Sequence, residues 1–363
     1  MADTLTKLAY QSFQQGKSVF GLTHKALSTS LLNLLAPRVP SDSASESERI
    51  NTSGLSAELL LKVQQRLNQL IETDWADVDR GVYPASLVFD NPWADFFRFY
   101  PLLWMDMPQI WDRANQKRYQ DFSENIKTDG YPSYYLQNFH HQTDGYLSDL
   151  SANLYDLQVE ILFNGSADAM RRRILAPLKR GLAEMGAPND RQTRILDIAC
   201  GTGRTMKMIR GALSDVSLYG ADLSPAYLRK ANQLLSQDPG ELPQLLQANA
   251  EELPYLDRYF QAVTCVYLFH ELPAHVRQNV INEAFRVIVP GGVFVVCDSI
   301  QLSDSPELAP IMEGFATMFH EPYYRNYTVD DMEARLKEAG FIDIAIESHF
   351  MSKCWFARKP IEQ

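Results

Sequence analysis

From residue 194 onward, short strand-like runs alternate with helical patterns, and that alternation constrains the fold more than any other feature of the chain. The runs "RILDIA", "SLYGADL", "PQLLQANA", "QAVTCVYLF" and "GVFVVCDS" are separated by "TMKMIRGAL", "AYLRKANQLLS" and "VRQNVINEAFRVI". Strands connected through helices run parallel, so the pattern predicts βαβ units around a mainly parallel sheet. The ending differs, because "FIDIAIESHF" and "KCWFARK" lie only a few residues apart. A connection that short joins antiparallel strands. Residues 188–363 are therefore expected to form an α/β, Rossmann-like sheet of seven mostly parallel strands with an antiparallel last strand.

Ahead of this domain the chain reads as helical. "SAELLLKVQQRLNQLIETDW" has an N-cap in Ser56, and helical spacing runs through to "SADAMRRRILAPLKRGLAEMG" at 166–186, so residues 55–187 are expected to be a mainly helical cap or substrate region. Residues 41–54, "SDSASESERINTSG", are Ser-rich and aperiodic and read as a flexible linker. Residues 1–40 read as an arm of two short amphipathic helices, one on Leu5, Leu8 and Phe13 and one on Leu27, Leu31, Leu34 and Leu35. A chain of 363 residues is long enough for two compact units.

Composition narrows the function classes. A hydrophobic share of 45% with 22% charged residues fits a globular protein, and a net charge of -11 repels polyanions, so no nucleic-acid partner is expected. Cys200, Cys265, Cys297 and Cys354 are widely spaced within or beside apolar runs and suit a reducing, cytoplasmic setting. No apolar run approaches the length of a membrane span. The arm nevertheless carries Lys7, Lys17, Lys25 and Arg38 against the single acid Asp3. Two readings of it stay open: an interfacial helix on an anionic bilayer, giving peripheral membrane contact, or an arm that docks on its own domain.

The chemistry concentrates in "ILDIACGTGR". A glycine loop between a parallel strand and its helix brings backbone close to a ligand, and Asp222, 19 residues beyond Gly203, closes the second strand where it can accept ribose hydroxyls. Nicotinamide enzymes share that acid, but "GTGRTM" has Met206 where their fingerprint needs a third glycine. With "GADLS", "ANAEELPY" and "RVIVPGGVFVV" following in order, residues 188–360 resemble a class I S-adenosylmethionine-dependent methyltransferase of the ubiquinone/menaquinone-type small-molecule group.

That resemblance implies S-adenosyl-L-methionine as cofactor, with Asp197, Ala199, Gly201 and Gly203 lining its methionine and ribose part. It implies Asp222 on the ribose hydroxyls, Leu223 against the adenine, and Asn249 and Ala250 at the adenine edge. Asn249 stands where the family has an acid, as does Gln261 ahead of the fourth strand. Tyr155 is a further residue placed over the cofactor. The implied reaction is methyl transfer to an oxygen or carbon of a small, partly apolar metabolite. A cofactor-binding scaffold without turnover is the alternative, and a nicotinamide dehydrogenase a third.

The proton chemistry is assigned to His270 in "VYLFHELP", just past the fourth strand, with Glu271 expected to point elsewhere or cap the next turn. His140, His141 and His320 are rival bases in two aromatic lid segments, "YPSYYLQNFHHQTDGYL" at 131–147 and "MFHEPYYRNY" at 318–327. No Asp, Asn or His cluster has metal-ligand spacing, so no metal is expected. The sequence leaves the oligomeric state open.

Overall fold

A computed structural model describes residues 4–35 and 56–361. The linker expected at 41–54 and Arg38 lie outside the described residues. Seven strands form one sheet in the order β3-β2-β1-β4-β5-β7-β6. They are β1 (Arg194–Ile198), β2 (Ser217–Asp222), β3 (Gln244–Gln247), β4 (Phe260–Val266), β5 (Ile288–Ser299), β6 (Ile342–His349) and β7 (Ser352–Arg358). The first five pair in parallel, while β7 runs antiparallel to both β5 and β6, as the short final connection requires.

Alternation along the central strands sends side chains to two cores. Ile195, Val293 and Val295 face one apolar layer, while Leu196, Phe294 and Val296 face the other. The first layer is closed by α2 (Ala57–Asp79), α6 (Leu175–Glu184), α7 (Arg204–Ala212) and α8 (Pro225–Leu235), the second by α9 (Ala274–Val287) and α12 (Met332–Ala339). Because Trp75, Leu87 and Ile174 of the helical region share a core with Ile195 and Val293, the cap and the sheet are packed on one another.

Ser56 caps α2, its hydroxyl accepting from Leu59 N at 3.1 Å. The cap region continues through α3 (Trp93–Asn115), α4 (Asp149–Leu162) and α5 (Ala167–Arg171), but residues between α3 and α4 are mostly irregular and lie over the sheet's carboxyl edge.

The N-terminal arm departs from expectation. It is one helix, α1 (Thr4–Leu35), where two were expected. Gly16 and Gly21 do not break it. At Gly21 the missing side chain lets α1 approach the end of α4, where an added Cβ would stand 3.1 Å from Asn164 Cα. The helix is docked: Tyr10 is fully buried and donates to Asp74, which also pairs with Arg172 at 2.6 Å. Its lysines are engaged within the protein, Lys7 with Glu72, Lys17 with Glu160, and Lys25 with the Leu162 carbonyl and Asn164. No helix among the described residues is long and apolar enough to cross a membrane.

Candidate functional site

The strand order reverses at β1, which sends its chain connections to β2 on one side and has β4 on the other. Ligands of open α/β sheets sit at such a switch point, outside the carboxyl ends of the strands. The glycine loop lies there. Ala199 and Gly201 both take left-handed conformations, with φ of 52° and 54°, folding the chain back over the end of β1. A Cβ on Gly201 would have no neighbour nearer than 3.9 Å, so its backbone faces open space.

Asp222, at the end of β2, closes the other wall. Its Oδ2 accepts from Gly201 N at 2.9 Å and its Oδ1 from Ser224 N at 2.8 Å. A carboxylate offers about four lone-pair sites, so two remain for a ligand's donors. Burial pushes its pKa up to about 6, against the pull of the two backbone N–H groups. Two adjoining cavities meet at Ala199, Asp222, Tyr135, Leu268 and Glu271. One continues past Leu223, Ala248, Asn249 and Ala250 into a slot of largely apolar walls, as a purine ring requires. The other runs past Thr202, Thr205, Arg171, Tyr146 and Tyr155.

Most of the expected cofactor residues therefore converge: Ala199, Gly201, Asp222, Leu223, Asn249, Ala250 and Tyr155 all line this cleft. Two do not reach its lining. Gly203 caps α7 at φ 79°, and an added Cβ would stand 3.0 Å from Ala231 Cβ, so it serves the packing of α7 on α8. Asp197 is buried behind the loop, where the Thr264 hydroxyl donates to Oδ1 at 2.6 Å and burial pushes its pKa to about 7. Asn249 keeps its amide oxygen on Glu251 N at 3.0 Å. Gln261 is structural, its side-chain oxygen accepting from Arg194 N at 2.7 Å.

The acceptor end differs more. His270 lies behind the cleft lining, with Nδ1 2.6 Å from Asp298 Oδ1. Burial would lower its pKa, but Asp298 outweighs burial and carries it up to about 10. Glu271, expected to point away, instead lines both cavities and accepts from the Tyr146 hydroxyl. Burial and Glu321 push its pKa to about 7.

Of the rival histidines, His140 Nε2 lies 2.7 Å from Glu321 Oε1. His320 stacks on Tyr119 at 3.9 Å and bonds Gln137, and His141 is buried, its carbonyl accepting from Arg113. Burial lowers the pKa of both, that of His141 to about 4. The two lid segments supply Tyr134, Tyr135 and Tyr146 to the cleft and Glu321 behind it. Arg171 and Tyr227, which sequence reasoning missed, also line it, and no local motif marks either one.

A strand-end acid and glycine loop facing an apolar slot define an α/β domain built for a nucleoside cofactor. Residues 195–292 match the methyltransferase domain family. Across 144 residues the chain is 33% identical to the demethylmenaquinone methyltransferase of Thermus thermophilus, covering 40% of this chain and 60% of that one. It is 27% identical over 212 residues to the 27-O-demethylrifamycin SV methyltransferase of Amycolatopsis mediterranei, covering 56% and 66%. With a ubiquinone/menaquinone biosynthesis C-methyltransferase of Desulfotalea psychrophila the identity is 28% over 151 residues, covering 42% and 56%. The chain thus spans between half and two thirds of the length of these relatives. Residues 195–292 thus match a methyltransferase domain.

Proposed function

We propose that the protein transfers the methyl group of S-adenosylmethionine to an oxygen or carbon of a small, partly apolar metabolite. The observation that carries this reading is one continuous cleft, in which Asp222 and the Gly201 backbone stand at its centre and Glu271 at the acceptor side. The residues fit the cofactor: Asp222 retains two free acceptor positions for ribose hydroxyls, and the slot between Leu223 and Ala250 suits the adenine. Asn249 and the Ala250 backbone lie at the adenine edge.

When bound, the cofactor supplies a sulfonium methyl that is already electrophilic. The chain's own task is alignment, exclusion of water and handling of a proton. Tyr135, Tyr146 and Tyr155 cover the cleft with aromatic surface and leave their hydroxyls as polar handles. Glu271, held by Tyr146 and lining the cleft, is the group assigned to the acceptor's reacting atom, and His270, anchored on Asp298 behind the lining, acts as a positioning residue beside it. The oxygen and carbon acceptors named for the relatives support a metabolite of that size. The engaged lysines of α1 favour the arm as an internal strap over a bilayer contact.

Calorimetry with S-adenosylhomocysteine and with NAD⁺ tests the cofactor half of this reading. Binding of the first alone is expected, and binding of NAD⁺ alone would overturn it. Release of S-adenosylhomocysteine on adding metabolite extracts separates an enzyme from a scaffold that only binds.

A further inference from the structure

Behind Glu271 lies a group of side chains that no local spacing reveals. His140 Nε2 and carboxylate oxygens of Glu271 and Glu321 all lie within 4.8 Å of one another, brought together from three distant segments. The imidazole nitrogen is 2.7 Å from Glu321 Oε1 and 3.9 Å from Glu271 Oε1. The Glu321 side chain is fully buried, and neither of its oxygens accepts a well-aligned hydrogen bond from the described residues. His140 compensates Oε1 in part, but a buried carboxylate oxygen left without a donor, as Glu321 Oε2 is, is costly unless a further cation compensates it.

Asp298 and His270 stand next to the group, so three acidic side chains and two imidazoles are gathered in one buried cluster.

We propose that His140, Glu271 and Glu321 bind a divalent first-row transition metal ion. One imidazole with two carboxylates is a mixed nitrogen and oxygen set, which suits manganese, iron, cobalt or zinc better than the all-oxygen preference of magnesium or calcium. Ligand atoms bound at roughly 2.1 Å stand at most about 4.2 Å apart, so small rotations of the two glutamates complete the set. Three protein ligands leave positions open, and Glu271 borders the cleft, so the ion would face an oxygen of the acceptor. That role rests on the methyl-transfer reading, whereas binding of the ion does not.

The test uses the full chain stripped with a chelator and titrated with Co²⁺ and Zn²⁺, followed by calorimetry and, for cobalt, by visible d–d absorption. The wild-type chain is expected to take up one equivalent, and His140→Gln and Glu321→Gln each to weaken affinity at least about tenfold. S-adenosylhomocysteine affinity, measured on the same metal-free samples, is expected to be equal in all three and shows that the variants are folded. Absence of saturable cobalt absorption in the wild type, or wild-type metal affinity in either variant, would overturn the site. Metal uptake without any S-adenosylhomocysteine binding would support the site and overturn the methyl-transfer reading instead.

Discussion

Removing the Asp222 carboxylate is the sharpest perturbation of the cofactor cleft. Gly201 N and Ser224 N already occupy one position on each oxygen, leaving two for the ribose. Hydrogen bonds to a charged group are worth about 1.5–3 kcal/mol each, so losing two costs about 3–6 kcal/mol. Asp222→Ala should therefore raise the Kd for S-adenosylhomocysteine by roughly 10²–10⁴. The pH dependence follows from the same carboxylate. Burial raises its pKa to about 6, and the ionised form is the one with every lone pair available. Wild-type affinity should be flat from pH 8 to 7 and about tenfold weaker at pH 5, as the proton must first be lost. The Ala variant should lack that acid limb. Titration calorimetry across this range reads both effects. An Asp222→Ala affinity within threefold of wild type, or a wild-type profile flat down to pH 5, would refute the assignment.

The two loop glycines, both left-handed, should both lose stability on substitution but differ in their effect on binding. Gly203→Ala, at φ 79° and 3.0 Å from Ala231 Cβ, should lower stability by about 1–3 kcal/mol in denaturant melts while the folded fraction binds cofactor normally. Gly201→Ala should instead weaken S-adenosylhomocysteine binding, read by the same calorimetry. Asp197 is ionised at a cost above its raised pKa of about 7, whereas the unfolded carboxyl ionises near 4. Asp197→Asn should thus leave stability unchanged below pH 4, with a gain that grows to a plateau of roughly 1–4 kcal/mol above pH 7. Glu271→Gln should lower turnover by about 10²–10⁴, and a variant with normal turnover would remove Glu271 from the reaction. With Lys7, Lys17 and Lys25 engaged inside the protein, the full chain should sediment with anionic vesicles no more than with neutral ones.

What the sequence made legible was local. The alternation of strand and helix sets the sheet, and the final short connection sets its antiparallel partner, because both depend on neighbouring residues. The glycine loop and Asp222 belong to consecutive βα units, so their spacing already implied their meeting. Arg171 and Glu321 had no such signal. They reach the site through packing of the cap and of the segment after β5, which periodicity does not specify. Glu271 was misread because a turn after a strand can present either of two adjacent side chains, and the anchor of His270 on Asp298 decides which one faces the cleft. The arm was misread because its two apolar faces, on Leu5, Leu8 and Phe13 and on Leu27 and beyond, belong to one continuous helix whose middle docks close to α4 at Gly21.

The central claim is that this cleft delivers a methyl group, and transfer of an isotopic label tests it most directly. Purified protein incubated with methyl-deuterated S-adenosylmethionine and fractionated metabolite extracts, then followed by mass spectrometry, should yield a small, partly apolar product carrying the labelled methyl. S-adenosylhomocysteine should appear in equal amount, and Asp222→Ala should abolish both at limiting cofactor. Tight S-adenosylhomocysteine binding with no labelled product in any fraction would contradict the account and leave a protein that binds the cofactor without using it.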